Sequence, residues 1–532
     1  MIQITYLQTT RRRQQLILSA LVAISILLFA FRSPAAIINV TTNDSPTAAY
    51  TKIQSAQAGD VVIIAPGTYA FRVQLTGQGS ATNPITIRAL NPAQKPVWDF
   101  GTNLVENAPG SYTAGDRGRG GWQVSGGNYY HISGIIFTNC HTASQNSAGL
   151  RYYNGTTGLY LKDCLFAGND NGLTGGTQNS DCTVEFCEFN HNGNLVASAA
   201  THNLYIYAGT FALRYCYVHD SQQAENFHIR AQNSILEYNW FARAANYEGD
   251  LMTDDDFSGN GPFTQTMLLR GNVFIQNANP SNPSQVLVIF NDTGLANENM
   301  SMQVINNTYV GNGTPGNGFS AAFVHLANSD GTRMNALLMN NIISGNNNVA
   351  LVDDTVNGAV TGGYNWLTNG VYSGPLTNSV FSSTPVFNNP AAKDYTLAAG
   401  SVAIGQAAQT IPELPLPALP IKEYYQNETN ARQYRIRATV QDIGAFESTT
   451  AGPGIGPHGN PPSPVLTAAS SGGTVTISWP FTAADFVVDQ AAAVGNSNVW
   501  HQFPLPYQTN LTSFGITISG PVSNQFYRLR LP

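Results

Sequence analysis

The sequence predicts an all-β fold in which short strands stack into a solenoid of parallel coils, followed by a small C-terminal β-sandwich. Three observations lead to this prediction. The 532 residues exceed what one ordinary compact core holds. Charged residues make up only 10% of the chain, and Gly is abundant at 50 residues. A short apolar motif recurs without the long helical periodicity that helical repeats need, which favours strands joined by Gly and Asn turns.

The repeated motif is apolar-x-x-(Cys, Asn or Ile)-x-apolar. Its copies are ISGIIF, LKDCLF, VEFCEF, LRYCYV, LEYNWF, LRGNVF, VINNTY and LMNNII, at residues 132–137, 161–166, 184–189, 213–218, 236–241, 269–274, 304–309 and 338–343. The fourth position recurs after 23 residues from Cys164 to Cys187 and from Cys216 to Asn239, and after 29 to 35 residues elsewhere. A coil of about 23 residues holds three short strands, so we expect each strand to pair in parallel with its copy in the next coil.

Stacking of the coils would bring the fourth positions of the motif into one inward-facing ladder. Its members would be Cys164, Cys187, Cys216, Asn239, Asn272, Asn307 and Asn341. A buried Cys behaves as a small hydrophobic residue, and stacked Asn side chains exchange amide hydrogen bonds. Because equivalent ladder positions do not offer crosslinking geometry, the five cysteines are predicted to be free thiols rather than disulfides.

Four segments near the ends of the repeat carry a resemblance to a known superfamily. They are IQSAQAGDVVIIAPGTYA (53–70), GSATNPITIRA (79–89), DYTLAAGSVAIG (394–405) and DIGAFE (442–447). The first two resemble the capping helix and opening coils of right-handed parallel β-helix proteins of the pectate-lyase-like superfamily, and the second is similar to the chondroitinase-B and alginate-lyase group. The last two resemble closing coils. The resemblance implies a right-handed parallel β-helix over residues 37–447.

The N-terminus has the pattern of a signal peptide, assigned to residues 1–35. A basic segment, RRRQQ (11–15), precedes the apolar run LILSALVAISILLFAF (16–31) and the small residues SPA (33–35). The chain is therefore expected to be exported, to the periplasm, the cell surface or the medium. An uncleaved anchor stays open as an alternative, and it would be the chain's only contact with a membrane.

After the solenoid, residues 448–464 form a Gly/Pro-rich linker, and residues 465–532 are predicted to form the β-sandwich. This last domain is interpreted as a spacer or surface-sorting module, or as a carbohydrate-binding module that uses Trp479 or Trp500. The net charge of −7 argues against a nucleic-acid partner. No phosphate loop, zinc pattern or Ser-His-Asp elbow is present, so no soluble cofactor is expected. A monomer is expected.

Candidate site residues come from a second set of strands, each of which precedes a motif strand. With alternate residues pointing inward, the outward pairs are Arg151 and Tyr153, Tyr205 and Tyr207, and His228 and Arg230. The strands that carry the last two pairs are one 23-residue coil apart, so they should be neighbours. His202 precedes one of them, and the next coil brings Glu248, Asp250, Asp254, Asp255 and Asp256.

These residue types suit an acidic polysaccharide. Tyr rings stack on sugar faces, Arg pairs with a carboxylate, and His works as a general base near neutral pH. The predicted catalytic residues are His228, Arg230 and Asp250. The predicted substrate-binding residues are Tyr205, Tyr207, Arg151, Tyr153 and His202. A Ca²⁺ ion is the candidate cofactor, with Asp254, Asp255 and Asp256 as its ligands.

The favoured function is a polysaccharide lyase that cleaves a uronate-containing glycan by β-elimination. In the chondroitinase-B and alginate-lyase group a Lys/Arg pair, usually with Ca²⁺, does this work. Here the sequence departs from the group's pattern, because only Arg230 matches that pair and no clear Lys is found. Two alternatives stay open: a non-catalytic glycan-binding or cell-surface β-helix, and an inverting glycosidase that uses Asp250 with one of the following Asp residues. His228 and Arg230 would also suit a solvated outer face.

Overall fold

The computed structural model of this chain is a parallel β-helix followed by small antiparallel sheets, which confirms the predicted fold class. It describes residues 35–531 apart from 102–119, 143–145, 178, 197–199, 254–263, 279–284, 291–298, 312–321, 328–332, 346–348, 354–357, 370–374, 412–419, 426, 429–431, 450–451, 481–482, 484–485, 493–499, 505–506, 510–512 and 520–524. Most of the predicted signal peptide and the predicted Ca²⁺ ligands Asp254, Asp255 and Asp256 lie outside the described residues.

The first coils contain β1 (Ile37–Val40), β2 (Val61–Ile64), β3 (Thr68–Tyr69), β4 (Val73–Leu75), β5 (Ile85–Ala89), β6 (Val97–Asp99), β7 (Gly120–Ser125), β8 (Tyr130–Ser133), β9 (Ile136–Thr138), β10 (Ala148–Tyr153), β11 (Leu159–Lys162) and β12 (Leu165–Ala167). The central coils contain β13 (Asn171–Gly175), β14 (Asp181–Glu185), β15 (Glu188–Asn190), β16 (Leu204–Arg214), β17 (Tyr217–His219), β18 (Phe227–Glu237), β19 (Trp240–Ala242), β20 (Gly249–Met252), β21 (Thr264–Arg270) and β22 (Val273–Ile275).

The last coils contain β23 (Gln285–Phe290), β24 (Asn299–Ile305), β25 (Thr308–Val310), β26 (Ala322–Ala327), β27 (Arg333–Met339), β28 (Ile342–Ser344), β29 (Val349–Asp353), β30 (Ala359–Gly363), β31 (Trp366–Thr368) and β32 (Val380–Ser382). The remaining strands are β33 (Phe387–Asn389), β34 (Asp394–Leu397), β35 (Lys422–Tyr424), β36 (Tyr434–Ile436), β37 (Thr467–Ser471), β38 (Thr474–Pro480), β39 (Val487–Ala491), β40 (His501–Gln502), β41 (Gln508–Thr509), β42 (Ser513–Ser519) and β43 (Phe526–Arg530). The helices are α1 (Pro46–Gln54) and a 3₁₀ turn at Pro390–Ala392.

The solenoid has three faces, each a stack of parallel strands. Face A contains β4, β7, β10, β13, the first halves of β16 and β18, β20, β23, β26 and β29. Face B contains β1, β2, β5, β8, β11, β14, the second halves of β16 and β18, β21, β24, β27 and β30. Face C is a 12-stranded sheet of β3, β6, β9, β12, β15, β17, β19, β22, β25, β28, β31 and β32.

The repeated motif spans the corner between face B and face C, where one left-handed residue turns the chain. This residue has a positive φ in every one of these corners: Gly134, Asp163, Phe186, Tyr215, Tyr238, Gly271, Asn306, Asn340 and Tyr364. Because a single left-handed residue bends the backbone sharply, the residue after it points inward. That next residue is the Cys, Asn or Ile at the fourth position of the motif.

The predicted ladder is present. The backbone N–H of Cys164 donates to Cys187 Sγ at 3.3 Å, and the N–H of Cys216 donates to Asn239 Oδ1 at 2.9 Å. The amide part of the ladder continues through Asn272, Asn307, Asn341 and Asn365. All five cysteines are free and buried, which confirms the prediction of free thiols.

Stacked side chains fill the interior and a helix closes one end. The rings of Phe137, Phe166 and Phe189 stack on one another with centroids 4.9 and 4.7 Å apart. Helix α1 begins after Ser45, whose hydroxyl accepts a hydrogen bond from Ala48 N–H at 3.2 Å. It buries Tyr50 and other apolar residues against this core, as the predicted capping helix should.

The chain after β32, which was predicted to form the closing coils, does not add further parallel strands to the solenoid. Strands β33 and β34, and strands β35 and β36, form antiparallel pairs rather than further coils. This segment then packs on much earlier coils: Tyr424 contacts Trp240, and Arg432 lies 2.8 Å from Asp163. The prediction was wrong because the short apolar and Gly-rich pattern of residues 394–405 is common to solenoid coils and to hairpins that lie along them.

The C-terminal strands form two small antiparallel sheets, β37-β38-β42-β41 and β40-β39-β43, which share an apolar core. Trp479 is fully buried in that core, so it is a packing residue rather than a sugar platform. No helix in the described part of the chain is long and apolar enough to cross a membrane.

Face B carries alternating charges on its outer surface. One residue from each of five successive strands forms this charge ladder: Lys162, Glu185, Arg214, Glu237 and Arg270. Arg214 and Arg270 donate to the two oxygens of Glu237 at 2.8 and 2.9 Å. Burial opposes the ionisation of Glu237, but the two arginines outweigh it and lower its pKa to about 2.

This pair of contacts predicts a loss of stability in acid. A carboxyl group whose pKa is lower in the folded state stabilises the fold above its unfolded pKa of about 4.3, and that stabilisation is lost as the pH falls toward about 2. We expect the free energy of unfolding to fall over this window by on the order of 3 kcal/mol because of Glu237. Urea unfolding at several pH values should show a flatter pH dependence for Glu237→Gln. The exposed Asp181→Asn should keep the parent slope.

Candidate functional site

The predicted outward residues form a continuous row on face A. Arg151 pairs with Thr174, Thr174 with Tyr205, Tyr205 with His228, and His228 with Asp250. Adjacent strands lie about 4.8 Å apart, so each step along the row moves by that distance. The row exists because the alternate residues of the same strands pack in the solenoid core.

His228 lies at the centre of a chain of polar contacts between Arg230 and Asp250. Its Nδ1 is 2.8 Å from Asp250 Oδ1, and its Nε2 accepts a hydrogen bond from Arg230 Nε at 2.9 Å. An acceptor nitrogen carries no proton, so the ring proton is on Nδ1, the nitrogen that lies 2.8 Å from Asp250 Oδ1. Arg230 also donates to the carbonyl oxygen of Thr253 at 2.8 Å. Tyr247 donates to Asp250 Oδ2 at 3.3 Å.

Burial contradicts the alternative of a solvated outer face. His228 is 8% exposed, Arg230 6% and Asp250 3%. Charged side chains are rarely this buried unless they are paired, and all three are paired here. Burial, together with the charges of Asp250 and Glu225, also raises the pKa of Tyr247, so its hydroxyl stays protonated.

A second imidazole–carboxylate pair lies beside the first. His202 Nδ1 is 3.0 Å from Glu225 Oε2, and Asn246 donates to the other oxygen of Glu225. The rings of His202 and His228 lie 5.1 Å apart. Burial alone would raise the pKa of Glu225, but the hydrogen bond and charge of His202 outweigh it and hold that pKa below its usual range.

Two tyrosines form the part of the site that is half-exposed. Tyr205 stacks on His202 with ring centroids 5.4 Å apart and lies 4.9 Å from the ring of His228. The hydroxyls of Tyr205 and Tyr207 are 3.2 Å apart, and the guanidinium of Arg230 lies 5.6 Å from the ring centre of Tyr207. These hydroxyls and rings are what an approaching ligand would meet first.

The structure therefore brings most of the predicted residues together but leaves two outside. Arg151 and Tyr153 lie on β10, which β13 separates from Tyr205 and Tyr207. The guanidinium of Arg151 lies 4.5 Å from the ring centre of Tyr153, whose hydroxyl donates to Gln123 at 3.1 Å. They extend the same row of side chains away from His228.

Two acidic residues were not predicted correctly. Glu225 was missed, although it lies three residues before His228. Glu248 was expected on the outer face, but it is 1% exposed and ends a second buried ladder, where it accepts from Asn226 at 2.7 Å. That ladder runs through Asn169, Asn192, Asn203 and Asn226. Burial raises the pKa of Glu248 to about 8, so near neutral pH the group is largely protonated.

The donor atoms of His202, Glu225 and His228 lie within 4.8 Å of one another, which is the composition of a transition-metal site. Both nitrogens of His228 already have a neighbour in the protein, since Arg230 donates to Nε2 and Nδ1 lies 2.8 Å from Asp250 Oδ1. Ca²⁺ prefers oxygen ligands, and Glu225 and Asp250 are each held by an imidazole. In this arrangement these groups are occupied by contacts within the protein.

The fold and the site define a parallel β-helix protein with a compact His, carboxylate, Arg and Tyr site on one face. No protein-family model and no curated protein matches the chain. Similar solved structures include an alginate lyase from Paenibacillus sp. (14% identity, 64% of this chain and 99% of that one, TM-score 0.41). Another is a PL6 family polysaccharide lyase from Pseudopedobacter saltans (13% identity, 66% and 93%, TM-score 0.38). A lacto-N-biosidase from Eubacterium ramulus is also similar (12% identity, 65% and 67%, TM-score 0.32). These likenesses are too distant to indicate an activity.

Proposed function

We propose that this protein is a polysaccharide lyase that cleaves a uronate-containing glycan by β-elimination. The observation that carries the proposal is the chain from Arg230 to His228 to Asp250 beside the paired hydroxyls of Tyr205 and Tyr207. It supplies a cation for the substrate carboxylate, an oriented base and a proton donor within a few ångströms of one another.

In the proposed reaction, the substrate carboxylate draws the Arg230 guanidinium away from His228 Nε2. The freed lone pair of Nε2 takes the proton from C5 of the uronate, and Asp250 stabilises the imidazolium through Nδ1. The electrons of the C5–H bond form the C4–C5 double bond as the bond from C4 to the glycosidic oxygen breaks. A hydroxyl of the Tyr205–Tyr207 pair donates its proton to that oxygen, and the imidazolium then returns a proton to the tyrosine pair. The ring of His202 stacks on the ring of Tyr205 and holds it in place, and Glu225 contacts His202 in turn.

The test is incubation of the protein with uronate polymers and with neutral polymers of the same linkage. We expect ultraviolet absorbance from the unsaturated uronate only with the acidic polymers. New reducing ends without that absorbance would replace the proposal with hydrolysis, for which Asp250 and one of Asp254, Asp255 and Asp256 are the predicted pair of carboxylates.

A non-catalytic glycan-binding role is the second candidate. One observation favours it. The lone pair of His228 Nε2 already accepts a hydrogen bond from Arg230, which is expected if the contact between the two side chains is purely structural. Binding of a uronate oligomer with no new chain ends would support this role and overturn the lyase.

We also propose Ca²⁺ at Asp254, Asp255 and Asp256, because clustered carboxylates are ligands that this ion prefers. Treatment with a calcium chelator is expected to lower the rate of product formation, and added Ca²⁺ should restore it. A rate that does not change would overturn the proposed Ca²⁺ site and leave Arg230 as the cation proposed for the substrate carboxylate.

Export and a monomeric state belong to the same proposal. The basic residues 11–15 and the apolar run 16–31 support export, since a large glycan is met outside the cytoplasm. Detection of the protein outside the cytoplasm, starting after Ala35, would be the expected result.

A further inference from the structure

A pocket of about 290 Å³ lies on face B, away from the site on face A. Its floor is formed by Tyr160, Lys162 and Glu185 of the solenoid, with the ring of Phe186 at one side. Its other walls come from Gly456, Gly459, Pro461 and Leu531. Pockets that take small ligands measure roughly 300–1,000 Å³, so this one suits a short ligand rather than a long stretch of polymer.

The charge ladder of face B ends in this pocket with a surplus of positive charge. Each carboxylate of the ladder lies between two cations, Glu185 between Lys162 and Arg214, and Glu237 between Arg214 and Arg270. At the end of the ladder, the neighbour of Lys162 on the other side is the uncharged Ser133. Three cations therefore face two carboxylates along this row.

Within the described residues, the ammonium of Lys162 makes no hydrogen bond and no ion pair. It lies 5.6 Å from the ring centre of Phe186, at the edge of the pocket. The neighbouring carboxylate is already satisfied: Glu185 Oε2 accepts from the Tyr160 hydroxyl at 2.8 Å, and Glu185 Oε1 lies 3.7 Å from Arg214. Lys162 is thus the cation that can bind an anionic ligand in the pocket.

Aromatic rings line the rest of the solenoid side of the pocket. Phe186, Tyr215 and Tyr434 pack against one another, with ring centroids of the last two 4.4 Å apart. The three rings are 4–6% exposed, so only a small part of each borders the pocket, and the Tyr160 hydroxyl adds a polar contact. A cation beside such rings fits a sugar that carries a carboxylate.

We propose that this pocket is a second binding site, which holds one or two units of a uronate glycan through Lys162. The choice of uronate as the ligand rests on the function proposed above. The existence of the pocket and the position of Lys162 are independent of that proposal. The site would bind chain ends or short products without cleaving them, because the described residues that line the pocket include no imidazole oriented as a base like His228.

The experiment uses the full chain with the face A site disabled by His228→Ala and Arg230→Ala, so that binding on face B is measured alone. Isothermal titration with a saturated 1,4-linked uronate disaccharide is expected to show binding that Lys162→Met weakens about tenfold or more, as expected for a hydrogen bond to a charged group. The disaccharide with its carboxyls reduced to alcohols should not bind. Lys393→Met, which does not line the pocket, is the matched control.

Each outcome decides one of the two proposals. Binding that Lys162→Met leaves unchanged, or no binding at all, would overturn the second site even if the parent protein produces unsaturated uronates. Binding that Lys162→Met weakens would uphold the second site even if no lyase activity is found. Lys162→Gln, with thermal unfolding as a check of folding, replaces the Met variant if that variant is unstable.

Discussion

Replacing His228 with Ala is expected to lower the rate of unsaturated product formation by about 10²–10⁴-fold, the usual contribution of a positioned general base. The reason is that the proposed reaction has no other described group oriented toward the C5 proton. The loss is expected in kcat more than in KM, since the proton moves only in the transition state. Initial rates across a range of polymer concentrations give both constants.

Matched variants separate this role from damage to the fold. His191→Ala removes an exposed imidazole outside the site and is expected to keep the parent rate. Arg230→Lys keeps the charge but loses the planar guanidinium that donates to both His228 and Thr253, so an intermediate rate is expected. A His228→Ala protein that works within twofold of the parent rate would remove the histidine from the mechanism.

Replacing Asn239 with Ala is expected to destabilise the solenoid by about 3 kcal/mol or more. The side chain of Asn239 is fully buried and makes three hydrogen bonds: it accepts from Cys216 N–H and donates to Asn272 and to the carbonyl of Leu213. Alanine would remove all three hydrogen bonds, each of which contributes roughly 0.5–1.5 kcal/mol. The buried Cys216 N–H would lose its acceptor, whereas Asn272 Oδ1 keeps the hydrogen bond from the backbone N–H of residue 239. Urea unfolding followed by circular dichroism measures the change.

Asn335→Ala is the matched control for this effect. Asn335 is half-buried on the outer side of β27, and its side chain makes no hydrogen bond within the described residues. We expect it to change the free energy of unfolding by less than about 0.5 kcal/mol. Equal unfolding midpoints for the two variants would mean that the amide ladder contributes nothing to stability.

Where strands follow one another at a regular spacing, the sequence was sufficient to predict the structure. The 23-residue step predicted that Tyr205 and His228 are neighbours, and they are. Alternation along β16 and β18 correctly separated inward from outward residues. The Cys and Asn ladder was predicted for the same reason, because identical residue types recur at the fourth position of a motif with a constant backbone.

Residues just before a strand could not be placed in the same way. Glu225 and His202 precede β18 and β16, where no alternation fixes the direction of a side chain, so their pairing was not predictable. The second ladder was hidden because its members Asn192 and Asn203 are only 11 residues apart, whereas Asn203 and Asn226 are 23 apart. A spacing of 11 residues does not suggest a neighbouring coil.

The cysteines are confined to one part of the solenoid, so their reaction with a thiol reagent can be used to follow the unfolding of that part. All five cysteines lie between Cys140 and Cys216, enclosed within consecutive coils, and burial raises the pKa of Cys140 to about 11. An alkylating reagent can therefore reach them only when those coils open. Trp366 is fully buried near the other end, and its fluorescence would report on the later coils in a variant whose other five tryptophans are replaced by Phe. A difference between the rate of thiol alkylation and the rate of the fluorescence change would reveal which end of the solenoid unfolds first.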